Sequence, residues 1–341
     1  MTITRRNILR GAAASLAGTA WGASALAQAP ADWQAVVDAA KKEGKLTIYS
    51  ASVGQTSLTA VSKLFEKAYG IPVTILEGRA SEIRERIRTE QTAGRFLCDV
   101  SHNGATTSAL QAKDGMFEAH GPLPSASRIR APFAASEFRV PEHASAYSIL
   151  VNTNLVKPAD EPKSWADLAD PRWKGKILSD DMRALGGGSM MFFVLEEKLG
   201  RGFHEKLAAN QLSFSRDSRA SERRVARGDY AIYVPMTSDA FAALKGLPVK
   251  LLAPEEGLPY ITFELAIVKN TPHPNAARLF LDFSLTNDAQ LVQQNAGYAA
   301  VTEVKAPPGT PPAALANVKL LGTTDAARQD EMLKLAKDIY K

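Results

Sequence analysis

The 341-residue chain has one cysteine, Cys98, so no internal disulfide can form and stability must come from a packed core. Within Phe96-Leu97-Cys98-Asp99-Val100 that cysteine reads as a small buried strand residue, not a reactive thiol. Histidine is scarce as well. None of His102, His120, His143, His204 and His273 has a partner at the H-x3-H or H-E-x-x-H spacing of common metal sites. No G-x-S-x-G elbow is present, and Gly186-Gly187-Gly188-Ser189 lacks the Gly-Lys-Ser/Thr ending of a nucleotide-binding loop. Nothing in the motif inventory supports catalysis, and the chain is expected not to be an enzyme. No internal repeat is visible, and past the first residues no apolar run is long enough to span a membrane.

What the chain does have begins at its N-terminus. Thr4-Arg5-Arg6-Asn7-Ile8-Leu9-Arg10 precedes a mildly apolar Ala/Gly/Ser stretch that ends at Ala25-Leu26-Ala27. Residues 1–27 therefore read as a cleaved export signal, and the paired arginines resemble the twin-arginine address. The expected destination is the periplasm. The absence of cysteine near the cleavage point argues against a lipid anchor. The leader carries three arginines and no acid, so without it 38 basic residues face 36 acidic ones and the net charge is +2 rather than +5. So even a balance gives no case for nucleic acid or membrane binding.

Short β-rich runs then alternate with helical patterns. Lys45–Ser50 reads as a strand, and Leu58, Val61, Leu64, Phe65 and Ala68 mark one buried helix face ending at Gly70. A strand from Pro72, a helix from Glu82 to about Ala93 and a strand over Leu97–Ser101 repeat the cycle. Ala146–Val151, Gly175–Ser179, Tyr230–Val234 and Ile261–Val268 supply later strands, and Pro122–Pro141 and Pro158–Pro171 read as turn-rich connections. The only low-complexity tract is the Pro/Ala-rich stretch near Ala306–Ala314. The pattern predicts an α/β protein of two lobes, each a mostly parallel sheet flanked by helices.

Open α/β sheets bind ligands at the carboxyl ends of their strands. Four small polar loops fall there: Ser50–Thr56, Glu77–Ser81, Ser101–Gly104 and Asp180–Ser189. Free N–H groups at helix starts, with Gly and Ser beside them, favour an anion. Arg79, Arg183, Arg216 and Arg219 lie near the same ends, and guanidinium forks match carboxylate or phosphate. Arg84, Arg86 and Arg88, and Arg223, Arg224 and Arg227, read as exposed helix faces.

Three stretches carry a resemblance: Ala39–Ser50 (AAKKEGKLTIYS), Ser164–Ile177 (SWADLADPRWKGKI) and Thr271–Phe283 (TPHPNAARLFLDF). With these the chain resembles the family 1 extracellular solute-binding proteins of the ferric-type branch, across essentially its whole length after the leader. Physically, Trp165, Leu168 and Trp173 read as packing anchors. Ala276, Leu279, Phe280 and Phe283 make one helix face begun after Pro274.

The resemblance implies a type II periplasmic-binding fold that closes on its ligand about crossing strands near Ala146–Asn152 and Tyr260–Lys269. The first lobe is expected over 28–147 plus about 262–305, and the second over 148–261 plus about 306–341, with the final helix on the second lobe. It also implies the capture component of an ABC importer, monomeric, without cofactor, and serving a membrane permease. Ferric members carry adjacent tyrosines after the strand equivalent to Tyr230–Val234. Here Pro235-Met236-Thr237-Ser238-Asp239 stands in that place, and a ferric site would have to be rebuilt from Tyr49, Tyr233, Tyr260 or His102. The expected solute is a small organic anion, a carboxylate or a phosphate or phosphonate ester. Its expected site is Ser52, Gln55, Arg79, Ser81, Asn103, Arg183, Ser189, Arg216, Ser218, Thr237 and Tyr260, with Arg79 and Arg183 as the clamps.

Overall fold

A computed structural model describes residues 33–52, 56–184, 186–305 and 318–341. The leader, Gln55 and the Pro/Ala-rich stretch lie outside the described residues.

The first part of the chain runs α1 (Trp33–Glu43), β1 (Leu46–Ser50), α2 (Thr56–Tyr69), β2 (Val73–Glu77), α3 (Ala80–Thr92), β3 (Val100–Gly104) and α4 (Ala105–Lys113). The long strand β4 (Val140–Asn152) leads out of it. The middle part holds β5 (Ile177–Asp180), α5 (Gly187–Leu199), α6 (Arg201–Ala209), β6 (Ser213–Ser215), α7 (Ser218–Arg227), β7 (Ile232–Thr237) and β8 (Val249–Leu252). Strand β9 (Leu258–Ile267) returns to the first part, followed by α8 (Pro274–Ser284), α9 (Asn287–Asn295), β10 (Ala299–Ala300), β11 (Leu320–Gly322) and α10 (Gln329–Ile339).

Local sequence explains the main elements. In α2 the three-and-four spacing buries Leu58, Val61 and Phe65, and Gly70 ends the helix at φ +72°, where only a residue without Cβ is unstrained. Helix α8 opens on Pro274, whose missing N–H costs nothing at a helix start. Its Phe280 and Phe283 meet Phe65 edge-on, with ring centroids 5.2 and 5.5 Å apart, so periodicity in two distant segments closes one core.

The strand order is β2-β1-β3-β9-β4-β7-β5-β6. Pairings β1–β2, β1–β3, β5–β6 and β5–β7 are parallel, while β9 and β4, side by side, run antiparallel to each other and to their outer neighbours β3 and β7. Two large cores flank this crossing. One gathers Ile48, Phe65, Ala144, Tyr260 and Phe280; the other gathers Ala146, Trp165, Ile177, Phe192 and Leu258. Trp165 is fully buried and its Nε1–H donates to the Gly257 carbonyl at 2.8 Å, in keeping with its reading as an anchor. Helix α10 adds Met332 and Ala336 to the second core, and Tyr340 just beyond its end joins them.

One segment departs from expectation. Residues 101–104, read as a loop, form the body of β3 and are fully buried. The strand begins later and runs further because β9 pairs with it through His102↔Leu265, Asn103↔Glu264 and Gly104↔Phe263. Polar side chains concealed the strand; long-range pairing made it.

Candidate functional site

A cleft of about 520 Å³ opens where the two parts of the chain meet. From the first part come Ser52, Thr56 and Ser57, at and before the start of α2; from the second come Arg219, Glu222 and Arg223 of α7, then Thr237 and Asp239 at and beyond the end of β7. The crossing strands supply Ser145, Tyr147, Ile261 and Phe263, and Tyr298 completes the wall. Strand alternation explains the choice in β4: Ser145 and Tyr147 line the cleft, while Ala144 and Ala146 enter the cores.

The polar groups here are unequal. The buried hydroxyls of Ser52 and Ser57 have no hydrogen-bond partner among the described residues. Asp239 accepts from the Ser145 hydroxyl at 3.2 Å. Burial, reinforced by Asp239 and Asp217, outweighs Arg219 and Arg223 and pushes the Glu222 carboxyl up to about 7. Burial, with Asp239 and Asp180, also raises the Tyr147 phenol well above its ordinary range, so it stays neutral.

Of the residues expected to form the site, Ser52 and Thr237 line the cleft. Ser218 begins α7 beside the lining Arg219, and its hydroxyl bonds the Tyr233 phenol. The two expected clamps lie elsewhere. Arg79 is exposed at the N-cap of α3, its backbone N–H donating to Glu82 at 3.0 Å, and Ser81 sits on the exposed start of that helix. Arg183 pairs with Asp181 at 2.8 Å and lies over the Phe214 ring at 4.6 Å. Neither lines the cleft. Arg216 is exposed, with Asp180 and Asp181 in its field. Asn103 is buried against Gln111, and Tyr260 packs on Phe133 in the first core.

The start of α5, expected to hold a solute anion, already holds one. The Asp180 carboxylate accepts from the Gly188 N–H at 2.7 Å, and Ser189 turns back to the Gly186 carbonyl at 3.0 Å. A strand-end carboxylate has taken the place of a ligand.

The residues offered for a ferric site are not brought to one point. Tyr49 bonds Glu90 at 3.0 Å beneath Arg86, and burial pushes its phenol up to about 12. Tyr233 lies in the small core with Leu150 and Val225, and Tyr260 in the first large core. His102 instead joins Glu142 and His143 in a fully buried cluster. Burial opposes charge on Glu142, but the facing imidazoles of His143 and His102 hold its carboxyl well below the usual range. The His143 ring stacks on Phe263 at 4.9 Å and meets Tyr298 at 4.2 Å, and both of those rings line the cleft.

Sequence reasoning missed Arg223, Glu222, Asp239, Tyr147, Phe263 and Tyr298 as lining residues. The signal for Arg223 was close at hand. Arg219 and Arg223 are four apart and so share a helix face, on a helix that begins at a strand end.

With the geometry in hand, likeness to known proteins is informative. An uncharacterized protein of Haemophilus influenzae is 25% identical over 272 residues, covering 75% of this chain and 77% of its own. Iron-bound HitA from Pseudomonas aeruginosa superposes with a TM-score of 0.70 at 20% identity, over 86% of this chain and 99% of that one. Trichodesmium IdiA (FutA), solved with iron and citrate, gives 0.71 at 22% identity, over 87% and 100%. At such identities the structures establish a shared fold, the two-lobed type II periplasmic-binding architecture. The family model of the bacterial extracellular solute-binding proteins matches residues 46–299, a span that holds every lining residue of the cleft, and the chain belongs to that family.

Proposed function

We propose that the protein captures a small organic anion, a carboxylate or a phosphate or phosphonate ester, for an ABC importer. One observation carries this reading: Arg219 and Arg223 share a single cleft with the hydroxyls of Ser52 and Ser57, before and at the start of the 14-residue helix α2, which have no hydrogen-bond partner among the described residues. Guanidinium groups on one side and hydroxyls with a helix N-terminus on the other form a two-sided anion clamp. Tyr147, Phe263 and Tyr298 offer an apolar wall to the rest of the solute. Glu222, half-protonated near neutrality, adds a donor rather than a full negative charge. The two sides come from opposite ends of the crossing strands, so binding favours closure about β4 and β9. The closed form is then the one offered to a permease. The periplasm, a twin-arginine leader over residues 1–27, a monomeric state and lobe boundaries near 147 and 261 belong to the same proposal.

A thermal-shift panel of carboxylates and phosphate esters tests it, with Arg219→Ala and Arg223→Ala alongside. A stabilising anion whose effect vanishes in both variants is expected; an anion that stabilises them undiminished removes the clamp from these residues.

A second reading has its own observation. Tyr147 and Tyr298 line the cleft with Asp239 and Glu222, a hard oxygen set suited to ferric ion. Iron titration that develops a tyrosinate charge-transfer colour would select it, and a colourless titration dismisses it.

A further inference from the structure

We propose a second, structural site beneath the cleft floor, in which His102, Glu142 and His143 hold a divalent transition-metal ion of the zinc class. Each residue offers one ligand atom, and these atoms lie within 4.8 Å of one another. All three side chains are fully buried. Two imidazoles and a carboxylate are a ligand set that zinc and its neighbours favour.

Three independent features single out this cluster from an ordinary buried polar group. The first is backbone geometry. Glu142 and His143 are sequence neighbours on β4, and regular pleating would send them to opposite faces. The register of β4 against β9 shifts between Pro141 and His143, and this irregularity brings both side chains to one point. The second is unsatisfied polarity. His102 Nε2 meets only the Glu142 carboxylate, at 3.3 Å, and the side-chain oxygen of Gln293 has no hydrogen-bond partner among the described residues. The Gln293 amide nevertheless reaches the cluster, since its nitrogen donates to Glu142. A buried acceptor left without a donor is costly.

The third feature is spacing. Ligands about 2.0–2.1 Å from a tetrahedral ion stand about 3.3–3.4 Å from each other. His102 Nε2 and Glu142 Oε2 are 3.3 Å apart. The Ser50 hydroxyl, 2.9 Å from His102 Nδ1, holds the ring with Nε2 turned to the carboxylate, as outer-sphere partners of metal-bound imidazoles do. The ion would replace the present hydrogen bond between His143 and Glu142. Gln293 oxygen, after exchange of its amide ends, is the natural fourth ligand.

Such an ion would tie β3 to β4 across the intervening β9. It would also fix the His143 ring on which Phe263 and Tyr298 rest, making the cleft floor rigid from behind.

The test uses the full mature chain without a histidine tag. Elemental analysis and native mass spectrometry should find about one equivalent of zinc-class metal per chain. Unfolding with chelator and refolding without metal should lower the melting temperature, and Zn²⁺ present during refolding should restore it. Co²⁺ in its place should give the visible bands of a tetrahedral nitrogen–oxygen site. His102→Gln and Glu142→Gln should abolish metal retention, whereas Asp239→Asn in the cleft should leave it intact. Chains refolded with Zn²⁺ or Co²⁺ that hold no metal and melt alike overturn the site. So does metal that is lost in Asp239→Asn but kept in His102→Gln, since that ion sits in the cleft.

Discussion

Helices α2 and α5 begin in nearly the same way. Each follows a strand, each is entered through a run of small polar residues, and each is long enough to present a real N-terminal partial charge. Their fates differ. The start of α5 is closed by the Asp180 carboxylate through Gly188. The start of α2 lines the cleft, with the Ser52 and Ser57 hydroxyls beside it and without a hydrogen-bond partner among the described residues. A helix N-terminus marks a place for an anion, and the chain itself decides whether that anion is a side chain or a guest. The carboxylate sits eight residues before Gly188, at the end of the strand, so its role shows only once the turn is folded.

The contrast can be broken at several points, the most damaging at Gly188. A Cβ there would stand 2.5 Å from the Asp180 carbonyl oxygen, a clash with backbone that no rotamer relieves. Gly188→Ala should cost about 1–3 kcal/mol, read by denaturant unfolding. On the open side, Arg223→Ala and Arg219→Ala should each weaken the cognate anion about 10- to 100-fold, the worth of a charge-assisted bond, in calorimetric titration. Arg183→Ala and Arg79→Ala should leave affinity unchanged, because one is spent on Asp181 and the other faces bulk solvent.

Asp180→Ala sharpens the comparison by converting the closed terminus into an open one. Loss of the cap should cost about 0.5–2 kcal/mol. Added sulfate should then raise the melting temperature of the variant more than that of the parent. An equal response in both would mean that α5 offers no anion site even when vacated.

The smallest effect is one of pH. Glu222 titrates at about 7 rather than near the ordinary 4.5. A carboxyl whose value is raised on folding stabilises in its protonated form, so its contribution declines as pH rises from about 4.5 through about 7. Below that range the cleft is also one negative charge poorer. Anion affinity should therefore be about fourfold higher at the acid side, the effect of one charge at ~5 Å in water. Glu222→Gln should flatten the dependence.

How much of this could be read beforehand follows from which interactions are local. The alternation of strands and helices rests on short-range periodicity and is where the sequence put it, and Trp165 is the buried anchor it was read as. β3 was hidden because Ser101, His102 and Asn103 look like loop residues until β9 pairs with them. Arg219 and Arg223 were set apart, one as a loop-edge residue and the other as a solvated face, because nothing local reveals what a helix faces. Nor does any spacing link His102 to His143, 41 positions away; the pairing of β3 and β4 to β9, with the β4 irregularity, brings them together.

The position of β9 has a consequence for how the molecule is made. It is the strand that joins β3 to β4, and α8 behind it supplies Phe280 and Phe283 to the first core. As the chain emerges from the ribosome, the segments up to β4 must wait for more than a hundred further residues before their sheet can close. The portion from β5 to β8 has its strand partners nearby and can mature sooner. Contacts so distant in sequence slow assembly and leave unpaired edges exposed meanwhile. The sheet of the part synthesised first thus closes only when β9 arrives, and the interval before then is when that part most needs shelter from its neighbours.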